Sequence, residues 1–283
     1  MIDAVRRFII EGLDIRGAVV RLGPAWQEMQ ARRDYGEPER DLLGELAAVT
    51  AIVGSNLKQP GRISFQLQGH GPVRMLLVDC DEQLRMRGLA KTEGFVAAAS
   101  VPELLGDGQL VLNLQTNASA HPYQSHVPIQ GETLAQVFEH YLAQSEQTPT
   151  RLWLAAGPDS ACALFLQKLP GADAADADGW NRVQHLAETV RPEELALPAE
   201  TLLARLFPEE TLRLFEPQPV IYHCPRDEEK VLNMLRTLGR EEVAEMLAEH
   251  DEIVVQDDVC NHEYRFGKEV LAELFPTPSQ LRH

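Results

Sequence analysis

The sequence predicts an α+β fold, with an N-terminal domain of antiparallel sheets and packed helices, a helical linker and a small C-terminal domain. Apolar and polar residues alternate along Ile63–Gly69, which is the period of a strand with one buried face. Short turns separate consecutive strand-like segments, which favours antiparallel pairing. Residues 39–58 are apolar around much of a helical circumference, which predicts a long buried helix.

The other elements of the N-terminal domain follow from the same two periods. The opening residues MIDAVRRFIIEGLD predict an amphipathic helix. A second amphipathic helix is predicted over residues 131–144. Further strands are predicted at 15–22, 73–79, 84–90, 109–116, 151–156 and 161–169.

A change of composition marks the end of this domain. The stretch Pro170–Gly179 is small, polar and acidic, so we expect it to be a surface linker that cannot pack. The predicted organisation is therefore a core domain at 1–178, a helical linker at 179–219 and a C-terminal domain at 220–283.

The linker region predicts short helices. Three segments begin at Pro192, Pro198 and Pro208, and each carries glutamate in its first turn, which suits a helix start. Helices shorter than about 12 residues are marginal alone, so these must dock on a neighbour. The apolar residues available for docking are Leu186, Val190, Leu195, Leu197, Leu202, Leu203, Leu206 and Phe207.

The composition excludes several classes of protein. The 26 basic and 43 acidic residues give a net charge of −17, which opposes binding to nucleic acid or to anionic lipid. No apolar run approaches the ~20 residues of a membrane span, and the N-terminus lacks a secretory signal pattern, so we expect a cytoplasmic protein. Phosphate-binding and nucleophile-elbow motifs are absent from the sequence, so we expect no enzyme activity.

The four cysteines divide into two pairs. Cys80 and Cys162 lie in apolar segments and are interpreted as small core residues. Cys224 and Cys260 lie in polar stretches beside His and Asp, where thiol or metal chemistry is more easily placed.

The C-terminal stretch from Phe215 to Phe266 resembles the zinc domain of the redox-regulated 33 kDa chaperonin family. That family has a C-x-C pair, a helix pair, a C-x-x-C pair and an aromatic tail. The helix pair is matched by EEV at 241–243 and MLAE at 246–249, and the tail by Tyr264 and Phe266. Upstream likenesses are QLQGHGP at 66–72, MRG at 86–88 and SEQTPTR at 145–151.

The chain departs from the family at two of its four zinc ligands. Cys224 and Cys260 remain, but Arg226 and Asp257 stand where the family has its other two cysteines. Because the resemblance places all four positions at one point, Arg226 and Asp257 could pair as ions and leave two thiols side by side. This zinc-free interpretation is preferred. The alternative is zinc, the family's cofactor, held by Cys224, Cys260, Asp257 and His223, with His262 or Asp258 as further substitutes.

The resemblance implies an ATP-independent holdase chaperone that binds unfolding client proteins and forms a homodimer when active. In the family, oxidation expels zinc, and the C-terminal domain and linker unfold. Here an oxidant could join Cys224 to Cys260 as the remaining redox switch, and the apolar linker residues would bind clients. Heat alone is the alternative trigger. A constitutive interaction adaptor without a switch is the alternative function, and a zinc hydrolase is the weakest candidate.

Overall fold

The computed structural model describes residues 3–57, 59–94, 97–116 and 121–276. Its first part alternates strands and helices in the order β1 (Ala4–Ile10), β2 (Ile15–Leu22), α1 (Pro24–Gln30), α2 (Glu37–Ser55), β3 (Gly61–Gln68), β4 (Val73–Asp81), β5 (Arg85–Thr92), α3 (Val101–Leu105), β6 (Gln109–Thr116), β7 (Tyr123–Pro128), α4 (Leu134–Glu146), β8 (Thr150–Ala156) and β9 (Ala161–Lys168).

The second part begins with short elements and ends with a helical unit. Its elements are α5 (Ala172–Ala175), α6 (Gly179–Ala187), a 3₁₀ helix (Pro192–Ala196), α7 (Ala199–Leu206), β10 (Leu212–Leu214), β11 (Gln218–Pro219), β12 (Ile221–Tyr222), α8 (Glu228–Leu238), α9 (Arg240–His250), β13 (Ile253–Gln256), β14 (Glu263–Phe266) and α10 (Val270–Leu274). The chain divides into two compact units, residues 1–223 and 224–283.

Two sheets build the first unit. One has the order β10-β1-β2-β9-β8, with β11 also paired to β1, and the other has the order β12-β5-β4-β3-β6-β7. The pairs are antiparallel, apart from the parallel pair of β12 with β5. The predicted α+β class with antiparallel sheets is confirmed.

Helix α2 packs on both sheets and forms the centre of the first unit. Leu43, Leu46 and Ala47 on this helix are fully buried. Next to it, the rings of Phe65 and Phe138 meet edge to face with centroids 4.9 Å apart. The predicted long helix is confirmed, although it begins two residues earlier and ends at Ser55; the predicted end at residue 58 lies outside the described residues.

The prediction of an amphipathic helix at the N-terminus is wrong. Residues 4–10 form strand β1, whose buried side chains include Phe8 and Ile10 on one face. Pairing with β2 decides the conformation, because Phe8 lies opposite Gly17 and its ring fills the space of a missing side chain. A Cβ at Gly17 would lie 2.2 Å from Cζ of Phe8, so this close approach requires glycine.

Two predictions between residues 170 and 210 also need correction. The acidic stretch does pack in part, because Ala172 in α5 is buried and the Asp14 carboxylate accepts a hydrogen bond from the Gly171 N–H at 2.8 Å. The segment that starts at Pro208 forms a turn before β10 and not a helix, whereas the segments at Pro192 and Pro198 are helical.

The linker helices lie against the outer face of the first sheet. Phe8, Ile15 and Leu164 of that sheet share one apolar cluster with the residues that follow α5. Those residues therefore belong to the first unit, and their treatment as a separate functional segment stays a prediction.

The second unit has a small core of its own. Helices α8, α9 and α10 and the β13–β14 hairpin enclose it. Its buried apolar residues are Leu235, Val243, Leu247, Ile253, Tyr264, Phe266, Val270 and Leu274. Among the residues described in either unit, none lies in a helix long and apolar enough to cross a membrane.

We predict that Asp3→Ala destabilises the first unit. The buried Asp3 carboxylate accepts hydrogen bonds from the N–H groups of Gly23, at 2.7 Å, and Ala25, at 2.6 Å, at the start of α1. Losing these charge-assisted bonds should lower the free energy of unfolding by about 2–3 kcal/mol, measured by urea denaturation. The exposed-site control Asp107→Ala should stay within about 0.5 kcal/mol of the parent. Equal stabilities of the two variants would contradict this role.

Candidate functional site

Two polar loops of the second unit bring Cys224 and Cys260 together. Cys224 precedes α8, and Cys260 lies in the turn between β13 and β14. The two residues are joined in a disulfide with a Cα–Cα distance of 6.1 Å and a sequence separation of 36. This distance lies within the range of about 4.4–6.8 Å that disulfides span. Cys260 is buried and Cys224 is half-buried.

Asp257 shapes the turn that carries Cys260. Its Oδ1 accepts hydrogen bonds from the N–H groups of Val259, at 2.9 Å, and Cys260, at 2.6 Å. Such side-chain-to-backbone bonds are the usual reason for Asp in a turn. Asn261 then adopts a positive φ of 56°, and the Asp257 N–H donates to the His262 carbonyl at 2.8 Å. The carboxylate is therefore committed to the backbone of its own loop.

His262 lies beside the two cysteines. Its ring is buried, and its Nε2 lies 2.8 Å from the Cys224 carbonyl oxygen. Because a carbonyl oxygen only accepts, Nε2 carries the proton in this contact. Ligand atoms of Cys224, Cys260 and His262 all lie within 4.8 Å of one another, so this cluster could hold a metal ion.

The predicted ion pair between Arg226 and Asp257 is not formed. The Arg226 guanidinium donates to the Glu263 carbonyl and lies over the Tyr264 ring, 5.1 Å from its centroid. That position combines a hydrogen bond with a cation–π contact, while Asp257 faces its own turn. The two substituted ligand positions thus stabilise separate parts of the loop pair.

Among the described residues, one of the predicted substitute ligands, His262, joins the two cysteines, and the preferred pair of His223 and Asp257 does not. His223 belongs to the first unit, where its N–H donates to the Met86 carbonyl at 2.9 Å. Within the part of the chain that the structure describes, neither His223 nor Asp257 joins the Cys/His group. His262, two residues after Cys260, is the third member of the group. The hydrogen bond from the Asp257 N–H to the His262 carbonyl closes the turn that carries it.

The cluster supplies only some of the ligands that a structural zinc site needs. Such sites are closed by four ligands, usually Cys or His, and the thiols must be deprotonated. The disulfide form offers no thiolate, whereas the reduced form offers two sulfurs and one imidazole. The described residues therefore fit a three-ligand site in the reduced protein and do not fit a closed four-ligand one.

The other two cysteines are inert by environment. Burial raises the pKa of the Cys80 thiol to about 12, with the neighbouring Asp81 carboxylate adding to the shift. Burial also raises the pKa of the Cys162 thiol. Because the thiolate is the reactive form, neither residue is suited to a redox role.

The predicted linker residues form the second candidate region. All eight belong to the apolar cluster on the outer face of the first sheet. Leu195, Leu202, Leu203, Leu206 and Phe207 are buried, and the remaining three, Leu186, Val190 and Leu197, pack at the edge of the cluster.

The geometry defines a class of protein: an α+β body with a docked helical segment, followed by a small unit that carries a paired-cysteine site. The chain belongs to the Hsp33 protein family, whose model matches residues 3–267. The 33 kDa chaperonin of Methylobacillus flagellatus is 41% identical over 97% of this chain and 95% of its own length. That of Chromobacterium violaceum is 38% identical over 96% of this chain and 94% of its own length.

A solved structure shows the same fold. The crystal structure of the 33 kDa chaperonin from Thermotoga maritima matches with a TM-score of 0.82 and covers 96% of this chain and 97% of its own. Its sequence identity is 20%, so this likeness concerns the fold alone. The family model and the two relatives confirm the expected family resemblance.

We predict that mild reduction makes the thiols of Cys224 and Cys260 reactive and leaves those of Cys80 and Cys162 unreactive. With a pKa of about 12, roughly one Cys80 in 10,000 is a thiolate at pH 8, and this fraction rises about tenfold per pH unit below the pKa. Alkylation of the folded protein, read by mass spectrometry, should therefore label Cys224 and Cys260 after reduction and neither before it. Rapid labelling of Cys80 in the folded protein would contradict this assignment.

Proposed function

We propose that this chain is an ATP-independent holdase chaperone of the cytoplasm that binds unfolding proteins under stress, with heat and the loss of the Cys224–Cys260 disulfide, rather than the formation of that disulfide, as its triggers. Its activation is the opening of the second unit and of the linker helices. The family membership and the relatives named 33 kDa chaperonin support the chaperone class. The observation that carries the proposal is the apolar face that the linker helices bury.

This apolar face is held by short elements. The longest linker helix, α6, has nine residues, and α7 has eight. Such helices are marginal alone and depend on docking. Burying a leucine side chain contributes about 2 kcal/mol, so the docked state hides the residues that a client would need. Release would present Leu202, Leu203 and Phe207 to unfolding proteins.

The far end of the linker is anchored by minimal strands. β10 has three residues, while β11 and β12 have two each. β12 is fixed to β5 by the hydrogen bonds of Ile221 to the Leu84 carbonyl, at 3.2 Å, and of His223 to the Met86 carbonyl, at 2.9 Å. Strands this short are weak alone. Residue 224 follows residue 223 directly in the chain. Unfolding that begins at residue 224 can therefore spread into these short strands at a low cost in free energy.

The second unit is the weak part of the chain. A unit of about 60 residues has a small core and is marginal without a cross-link or a metal. The Cys224–Cys260 disulfide closes a loop with a sequence separation of 36. On the chain-entropy model, a loop of this length contributes about 4 kcal/mol of stability. The disulfide therefore holds this unit closed, and its reduction without metal favours opening.

One structural observation supports the alternative function, a constitutive interaction adaptor. Met234 and Leu238 lie four residues apart on α8 and are 46% and 41% exposed. Such an apolar stripe is available to a partner without any opening. An affinity pull-down distinguishes the two functions: one stoichiometric partner at rest supports the adaptor, and many partners after heat support the holdase.

Several expectations go with the holdase proposal. Its partners are unfolded or partly folded clients, with a homodimer as the active form. We expect no catalytic activity and no binding to nucleic acid or membranes, in keeping with the net charge of −17.

We predict that the double variant Cys224→Ser, Cys260→Ser suppresses client aggregation at a lower temperature than the disulfide form. Losing about 4 kcal/mol of cross-link stabilisation should lower the threshold by at least about 10 °C. The readout is light scattering of a denaturing client, with the parent protein kept oxidised.

The controls separate the thiol pair from the holdase activity. Parent protein with reductant and chelator should match the double variant, and Cys80→Ala should keep the redox dependence. Equal thresholds for the oxidised parent and the double variant would remove the thiol pair from regulation. Aggregation unaffected by any form at any temperature would refute the holdase.

A further inference from the structure

We propose that strand β7 binds an extended segment of an unfolding protein as a further strand of the sheet that runs from β12 to β7. The segment that fits this edge is uncharged, with apolar and polar residues in alternation. The inference rests on the proposed holdase function for the source of the segment, but the binding site is separate from the linker helices.

Strand β7 forms one edge of its sheet. It pairs with β6 on one side, and no strand among the described residues pairs with its other side. With six residues it is longer than β12, the two-residue strand at the opposite edge. An unpaired edge of this length is a template for another strand, which gains main-chain hydrogen bonds when it pairs there.

The hydrogen-bond ladder fixes which backbone groups of β7 point outward. The Ile129 N–H donates to the Gly108 carbonyl at 3.3 Å, so these two residues form a hydrogen-bonded pair. Bonded and non-bonded pairs alternate along an antiparallel ladder. The odd-numbered residues of β7 therefore bond to β6, and the even-numbered ones point their backbone groups away from it. The outward groups are both those of Gln124, both those of His126 and the carbonyl of Pro128.

A second bond, at the far side of the sheet, gives the same alternation. The Gly69 N–H donates to the Arg74 carbonyl at 3.1 Å, so the odd-numbered residues of β3 bond to β4 and the even-numbered ones to β6. The odd-numbered residues of β6 then bond to β3, and its even-numbered residues bond to β7. These lie opposite odd-numbered residues of β7, so the two counts agree.

The outward groups of β7 are accessible. The side chains of Gln124, His126 and Pro128 are exposed. Among the described residues, no backbone hydrogen bond outside the ladders uses the N–H of Gln124 or of His126. An incoming strand can therefore bond to this edge while the closed protein keeps its other contacts.

Charge does not protect this edge. Edge strands of native proteins are commonly protected by charged side chains that prevent another chain from pairing. Strands β6 (QLVLNLQT) and β7 (YQSHVP) contain no Asp, Glu, Lys or Arg, although 24% of the residues in the chain are charged. The edge therefore fits an uncharged segment. A second copy of the chain fits it less well, because each copy brings a net charge of −17.

The side chains of β7 define the pattern of the segment. On the face toward the core, Val127 packs against the core and Tyr123 is 60% exposed. A paired segment would place alternate side chains beside these two residues, where apolar groups bury further surface. Its other side chains would lie beside Gln124 and His126 on the solvent face, where polar groups are favoured. This alternation is the pattern of a strand that unfolding has released from a half-buried sheet.

The test measures how tightly the full-length disulfide form binds a short fluorescent peptide, in which valine and threonine alternate between terminal lysines. Gln124→Pro should weaken binding at least about 10-fold in fluorescence anisotropy, because proline removes an outward N–H and leaves the ladder with β6 intact. Gln124→Thr keeps this N–H and should bind like the parent. Parental affinity in Gln124→Pro would refute the proposal.

A second arm uses the parent protein alone, so it does not depend on the folding of a variant. The same peptide, N-methylated throughout its backbone, cannot donate hydrogen bonds to the outward carbonyls and should lose its binding. Hydrogen exchange of residues 121–130 should become slower when the unmethylated peptide binds. Binding of the methylated peptide, or unchanged exchange in this segment, would overturn the proposal.

Two further outcomes separate the edge from its rivals. Loss of a dimer in Gln124→Pro by sedimentation, with unchanged peptide affinity, would assign the edge to a second copy and overturn the proposal. If the parent binds the peptide through β7 but suppresses no client aggregation in light scattering, strand pairing is supported and the holdase function is refuted.

Discussion

The meeting of Cys224 and Cys260 is the constraint on which the second unit depends. Its core holds few large side chains, and three short helices with one hairpin enclose it. A cross-link between the loop before α8 and the turn after β13 removes much of the unfolded chain's freedom. Everything proposed for regulation follows from whether that link is a disulfide, a metal ion or absent.

The residues at the two substituted ligand positions help to hold the cysteine-bearing loops in place. Arg226 and Asp257 do not replace lost ligands by pairing with each other. Each instead secures its own loop, Arg226 through Glu263 and Tyr264 and Asp257 through the turn at Cys260. Such bonds position the cysteines and His262, but a few hydrogen bonds contribute far less than roughly 10–16 kcal/mol, the apparent binding free energy of a structural zinc ion. The second unit is therefore closed, although the hydrogen bonds that hold its loops contribute little stability.

Much of the fold could be predicted because its patterns are local. Period-two alternation identified β3, and the apolar circumference identified α2, since both are read from neighbouring residues. The opening residues alone predict a helix, and this prediction is wrong because the conformation of strand β1 depends on Gly17 in a partner strand. The resemblance pointed to Cys224 and Cys260, whereas the preference for His262 depends on a left-handed turn at Asn261 that composition does not reveal.

Hydrogen exchange of the full-length protein, followed by mass spectrometry, tests the central claim most directly. Peptides from 224–276 and from 179–214 should be protected in the disulfide form. Both sets should lose protection together after reduction with a chelator present, and before the peptides of β3 and β4 do. Unchanged protection of the linker peptides when the 224–276 peptides exchange freely would contradict the coupling between the cysteine pair and the buried apolar face.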